Sequence, residues 1–117
     1  MAFIVKYMRE HLTENINVNK LADKACMSTS NFHRTFKNTL GESPIDFLNG
    51  ERIKFAKNLI QNTSGRFSDI AFKAGFNNTS YFNRQFKRLE KITPNQFRNM
   101  ARVKGERRKT GDWRLEY

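Results

Sequence analysis

The chain has 117 residues, room for one domain or two small ones sharing a linker, and a formal net charge of +11. Its one cysteine, Cys26, excludes a disulfide within the chain and fits a reducing compartment. No apolar run approaches the ~20 residues of a membrane helix, and the N-terminus, MAFIVKYMRE, is charged too early for a signal peptide. The charge is uneven: residues 1–50 hold six Lys/Arg against five Asp/Glu, and residues 51–117 hold 16 against six. Such a surplus points to a polyanionic partner, with plain solubility as the bland alternative.

Residues 2–13 carry apolar side chains at 4, 5, 8 and 12, a helical stripe that ends at Glu14-Asn15. Asn17 can cap a second helix over about 18–25, with Leu21 and Ala25 inward and the small Ala22 suited to a close helix crossing. Cys26 and Met27 make a short turn in which Cys26 packs, and Ser28 caps a third helix over about 29–40. On that helix Phe32, Phe36 and Leu40 share one side, while Ser30, His33, Arg34 and Lys37 share the opposite one. Two helices joined by a tight turn, the second with such a polar face, make a helix-turn-helix. Its second helix can enter the major groove of DNA.

Gly41 ends the third helix, and Ser43-Pro44 restarts the chain with Asp46 near a capping box. The new helix runs over about 44–61, with Phe47, Leu48, Ile53, Ala56, Leu59 and Ile60 as its apolar set, and Asn62-Thr63-Ser64-Gly65 closes it. A helix over about 67–74 stops at Gly75, free to take a left-handed turn. Asn78 caps a helix over about 79–90, with Phe82, Phe86 and Leu89 inward and Ser80, Asn83, Arg84 and Lys87 outward. Thr93 and Gln96 suit a capping box for a last helix over about 94–102 that buries Phe97 and Met100. The basic segment 102–117 reads as mostly flexible, with Trp113, Leu115 and Tyr117 available to dock.

The second half repeats the first. At a constant offset of 50, residues 30–47 and 80–97 are identical at seven of 18 positions, and Leu21-Ala22 recurs as Ile70-Ala71 at offset 49. One supersecondary unit is therefore used twice. The boundaries are a first unit over 1–46, a linker helix over 44–62, a second unit over 63–101 and the tail. A linker of about 18 residues spans about 27 Å, which with its flanking turns suits two groove segments roughly 34 Å apart. Because the units run head to tail, the expectation is a monomer with an asymmetric, non-palindromic footprint.

Asp69-Ile70-Ala71, Gly75-Phe76, Ser80-Tyr81-Phe82, Arg84, Phe86-Lys87, Thr93-Pro94 and Phe97-Arg98 together resemble the signature of the AraC/XylS family of bacterial transcription regulators. Leu21-Ala22, Met27-Ser28, Phe32, Arg34, Phe36-Lys37, Gly41 and Pro44 are similar to its first half. The resemblance covers residues 2–101. It implies an all-α fold of about seven helices: two homeodomain-like three-helix units joined by a long central helix. Two positions depart from the pattern. Lys91 stands where the family has a glycine after the second recognition helix, so that helix is open to a different ending. Cys26 replaces the glycine of the first turn, which sets a left-handed backbone there in question. Most members also carry a separate sensing or dimerising domain. The chain reads either as a short stand-alone regulator or as the C-terminal part of a longer one.

The resemblance implies base contacts from Thr29, Ser30, His33 and Arg34 in the first unit, and from Thr79, Ser80, Tyr81, Asn83 and Arg84 in the second. Arginine can bridge guanine O6 and N7, and asparagine can pair with adenine. For Arg34 and Arg84 the alternatives are a phosphate contact or a surface ion pair. For Tyr81 the alternative is packing between the units. Lys37, Lys87 and Arg88, farther along their helices, suit phosphates. Arg52, Lys54, Lys57, Lys73 and Arg98 either extend that footprint or are solvated.

The partner expected is double-stranded DNA, with RNA polymerase implied by the resemblance, no membrane, and no cofactor or metal. Expected localisation is the cytoplasm, in association with the nucleoid. Enzyme chemistry finds little support: His11 and His33 are far apart, Cys26 has no metal-ligand spacing, and no phosphate-binding glycine loop is present. The rival readings are a weakly specific DNA-coating protein and a helical module that meets an acidic partner protein.

Overall fold

Helices begin where a short polar side chain can accept a hydrogen bond from the backbone that follows it. In the computed structural model, which describes residues 1–109, Asn17 Oδ1 accepts from Asn19 N at 2.7 Å and Ser28 Oγ from Asn31 N at 3.2 Å. Ser43 Oγ accepts from Asp46 N at 3.2 Å, and Asn78 Oδ1 from Tyr81 N at 2.9 Å. Thr93 and Gln96 close a reciprocal capping box, each backbone N–H donating to the other's side chain. The described residues form seven helices and no strand: α1 (Ala2–Glu10), α2 (Val18–Lys24), α3 (Thr29–Leu40), α4 (Pro44–Asn62), α5 (Phe67–Lys73), α6 (Thr79–Glu90) and α7 (Pro94–Lys109).

The two tight turns are built alike. After α2, Cys26 N donates to Asp23 O and Met27 N to Ala22 O; after α5, Gly75 N donates to Phe72 O and Phe76 N to Ala71 O. These are the paired bonds that satisfy orphan carbonyls at a helix end, and they need one left-handed residue. Gly75 takes that conformation at φ +99°, and Cys26 takes it at φ 58° without being glycine. The ends of α3 and α6 match as well. Gly41 (φ 83°) donates to Lys37 O and Lys91 (φ 69°) to Lys87 O, both at 2.8 Å. Both departures from the family pattern therefore leave the backbone unchanged. The side chain carries a local strain of about 1–2 kcal/mol instead.

Each unit has its own core. Ile4, Met8, Leu21, Ala22, Phe32, Phe36, Phe47 and Leu48 pack together, and Ile53, Ala56, Ile60, Ile70, Ala71, Ala74, Phe76, Phe82 and Phe86 form the second cluster. Helix α4 supplies both, its first turns to one and its later turns to the other, and so ties the units together. Ring geometry repeats with the sequence. Phe32–Phe36 and Phe36–Phe47 centroids lie 5.7 and 5.6 Å apart, and Phe82–Phe86 and Phe86–Phe97 lie 5.8 and 5.7 Å apart. Burying each of these rings contributes about 1.5–3 kcal/mol.

The expectations differ from the structure in four places. Helix α1 stops at Glu10 rather than near Thr13, because His11 turns to stack on Tyr7 and to meet Glu14 Oε2 through Nδ1 at 2.7 Å. Cys26 is exposed rather than packed, since its left-handed backbone turns the side chain outward. Met100 is exposed and Phe97 only half-buried, because α7 meets the core near its start, at Pro94 and Phe97, and has passed it a turn later. Helix α7 also continues to Lys109, so residues 102–109 of the expected flexible segment are helical. They contain no proline, and their Arg, Lys and Glu residues favour helix. Trp113, Leu115 and Tyr117 lie outside the described residues. Among the described residues no helix is long and apolar enough to cross a membrane.

Candidate nucleic-acid interface

Helices α3 and α6 have 12 residues each, about 18 Å of surface. The pairs Phe32/Phe36 and Phe82/Phe86 have no exposed area, which fixes the rotation of both helices against their cores. The opposite faces are therefore in the same register. Ser30, His33, Arg34 and Lys37 are exposed on α3, and Ser80, Asn83, Arg84 and Lys87 are exposed on α6. Thr29 and Thr79 are exposed at the two helix starts. The Thr29 hydroxyl donates to Asn19 Oδ1 at 2.8 Å, pinning α3 to α2 across the turn. Arg34, Lys37 and Lys87 make no ion pair among the described residues. Arg84 lies 5.8 Å from the centre of the Tyr81 ring.

Two of the expected contact residues are occupied by the protein itself. Tyr81 is half-buried and faces α4, where Asn49 Nδ2 donates to its hydroxyl at 2.8 Å. Asn49 is 4% exposed, so this bond satisfies a buried amide. The packing alternative for Tyr81 thus describes its contacts. Arg88 donates from Nε and Nη2 to Gln85 Oε1 at 3.0 and 2.7 Å and approaches Asp46 Oδ1 at 3.6 Å.

Several of the cations expected to extend the footprint or to be solvated are engaged by the protein itself, and Arg52 joins α4 to the first unit. Arg52 donates from Nε to the Leu12 carbonyl at 2.9 Å and from Nη2 to the Glu14 carbonyl at 2.8 Å. Burial pushes its guanidinium below its ordinary pKa, an effect opposed by Tyr81. Lys57 pairs with Glu90 at 2.9 Å. Glu51 accepts from Arg9 at 2.7 Å and from Lys54 at 3.0 Å. Burial alone would raise the Glu51 carboxyl, but those hydrogen bonds and charges outweigh it and hold it below its ordinary value. Arg98 lies 4.4 Å over the Phe67 ring. Asn49, Glu51 and Arg52 carry no sequence signal of their bonds to Tyr81, Arg9 and Leu12, because these partners lie 32, 42 and 40 positions away.

The arrangement is two equivalent polar faces on rigid helices, each backed by fixed rings and fed with unpaired cations. Such a face can present hydrogen-bond donors to base edges and positive charge to phosphates.

A helix-turn-helix domain family matches residues 21–100 of the chain. The chain is similar to the bifunctional transcriptional activator/DNA repair enzyme AdaA of Bacillus subtilis, with 32% identity over 100 residues, 86% of this chain and 47% of AdaA. It spans less than half the length of the first curated relatives it matches. Among solved structures it is similar to the DNA-binding domain of the global transcriptional factor AdpA in complex with a target DNA. The TM-score is 0.83 at 29% identity, covering 94% of this chain and 96% of that one. An AraC-type transcriptional regulator from Chromobacterium violaceum matches with a TM-score of 0.75 at 26% identity, covering 84% of this chain and 88% of that one.

Proposed function

The chain belongs to the AraC family of helix-turn-helix proteins, and we propose that it binds double-stranded DNA sequence-specifically and activates bacterial transcription. The observation that supports this is the duplicated exposed face, residues 30, 33, 34 and 37 on α3 and 80, 83, 84 and 87 on α6, held in one register by buried phenylalanines. In this reading α3 and α6 enter two successive major-groove segments. Thr29, Ser30, His33, Arg34, Thr79, Ser80, Asn83 and Arg84 read bases. Lys37 and Lys87 bind phosphates, and Arg88 joins them by leaving Gln85. Tyr81 supports α6 from behind rather than reading a base.

The same reading assigns residues 1–46 and 63–101 to the two reading units, 44–62 to the linker and 102–117 to a basic extension. The chain acts as a monomer on an asymmetric site in the cytoplasm, on the nucleoid. RNA polymerase is the proposed protein partner, and the chain itself performs no catalysis.

The test is binding to a random-duplex library at two salt concentrations, with sequencing of what is retained. Two short blocks about one helical turn apart, surviving the higher salt, support the reading. Retention that collapses with salt and leaves no consensus would replace it with electrostatic coating. A palindromic consensus bound by two copies would remove the monomer.

A further inference from the structure

Along one flank of the second reading face, and sharing Asn83, Arg84 and Lys87 with it, runs a groove of about 720 Å³, bounded by the start of α5, α6 from Asn83 to Arg88 and the start of α7. Its lining is amphipathic in a definite way. Phe67 and Pro94 are its apolar elements, and Arg84, Lys87 and Arg88 are its charged ones; no carboxylate lines it. Arg98 sits 4.4 Å from the Phe67 ring and adds a further positive charge beside that aromatic wall. The size falls within the range of small-molecule sites.

A phosphodiester would use the cations and leave the aromatic wall without a partner. A neutral apolar molecule would do the reverse. We propose that this groove binds a small aryl carboxylate, its ring against Phe67 and Pro94 and its carboxylate at Lys87 and Arg84, and that occupancy competes with DNA at α6. Charge complementarity selects the occupant: Lys87 is free of ion pairs among the described residues, whereas Arg88 is already engaged by Gln85 and by the Asp46 carboxylate at 3.6 Å. The site is a property of the second unit alone. In the repeat, Val18 stands where Phe67 does and Asn38 where Arg88 does, so the first unit lacks the aromatic wall and one cation. The binding stands on the groove. The competition rests on the proposal that α6 reads DNA.

The test is a nuclear magnetic resonance titration of the 117-residue chain with 2-naphthoate and its neutral isostere 2-naphthamide. Saturable shifts confined to the starts of α5 and α7 and to α6 from Asn83 to Arg88 are expected. A ligand of this size should show a dissociation constant on the order of 0.1–1 mM. The amide should bind roughly tenfold more weakly, because it lacks the charge. Asn95→Asp adds a carboxylate to the lining at a helix start, where aspartate is tolerated, and should weaken naphthoate several-fold. Absence of saturation, equal binding of the amide, or indifference to Asn95→Asp would each overturn the site. Displacement of a selected duplex by naphthoate supports the competition, and unchanged duplex affinity in saturated protein overturns it. A chain that selects no duplex fails as a DNA reader, and the titration still decides the groove.

Discussion

Gly75 lies so close to Arg52 that a Cβ on the glycine would meet Arg52 Nε at 2.7 Å and the Leu12 carbonyl oxygen at 2.8 Å. The same Nε donates to that carbonyl, so the turn of the second unit seats directly on the bond that joins α4 to the first unit. Gly75→Ala should therefore destabilise twice, through its left-handed backbone and through contact with a carbonyl that cannot move alone, by about 2–4 kcal/mol. Gly41 shares the left-handed backbone, but a Cβ there meets nothing within 4 Å. Gly41→Ala should lose only about 1 kcal/mol. Urea unfolding of the two variants measures the difference, and equal losses would mean the interlobe contact contributes nothing.

Cys26 and Lys91 hold left-handed conformations with a Cβ present. Replacing either with glycine should stabilise the chain by about 0.5–1 kcal/mol. The gain should be larger at Cys26, which is exposed, than at Lys91, whose ammonium donates to the Arg88 carbonyl at 3.1 Å. Thermal unfolding under reducing conditions would rank the two, and a loss of stability in both would contradict the strain argument.

Glu51 has a carboxyl pKa held below its ordinary 4.5 by Arg9 and Lys54, against the opposing effect of burial. A carboxylate lowered on folding contributes stability that is complete above the unfolded value and lost as pH falls through the folded one. Glu51→Gln should be destabilised by about 1 kcal/mol at neutral pH, a modest figure because Arg9 is 58% exposed. The gap to the parent chain should narrow as pH drops below the carboxylate range. Parallel stability profiles down to acid pH would exclude this contribution.

Tyr81→Phe removes the acceptor of the Asn49 amide while keeping the ring. The buried amide then lacks a partner, which costs about 1–3 kcal/mol of stability. Sequence preference in a duplex selection should stay the same. A changed consensus with unchanged stability would return Tyr81 to the reading face.

Arg34→Ala should weaken binding by about 1–3 kcal/mol and relax preference at one base pair. Lys87→Ala should weaken all sequences alike and reduce the salt slope by about one unit. Competition binding of the two variants across a single-substitution duplex set separates these effects. Equal loss on every sequence from both would dissolve the division into readers and anchors.

The elements of this chain are legible from sequence because their signals are short-range. Caps at Asn17, Ser28, Ser43, Asn78 and Thr93 act within three residues, and the Phe32/Phe36 and Phe82/Phe86 stripes act within one turn. The repeat itself announces two equivalent units, and the outward faces follow from which rings must be buried. Tertiary structure alone decided how those units are joined. Asn49 with Tyr81, Arg52 with Leu12 and Arg9 with Glu51 are separated by 32, 40 and 42 positions, and each is an ordinary polar residue on its own helix. Tertiary structure also decided the backbone at Cys26 and Lys91. Residue preference argues against left-handed geometry there, but the helices on either side must cross at those points. The bonds they form on closing, Met27 N to Ala22 O and Lys91 N to Lys87 O, outweigh a local strain of about 1–2 kcal/mol.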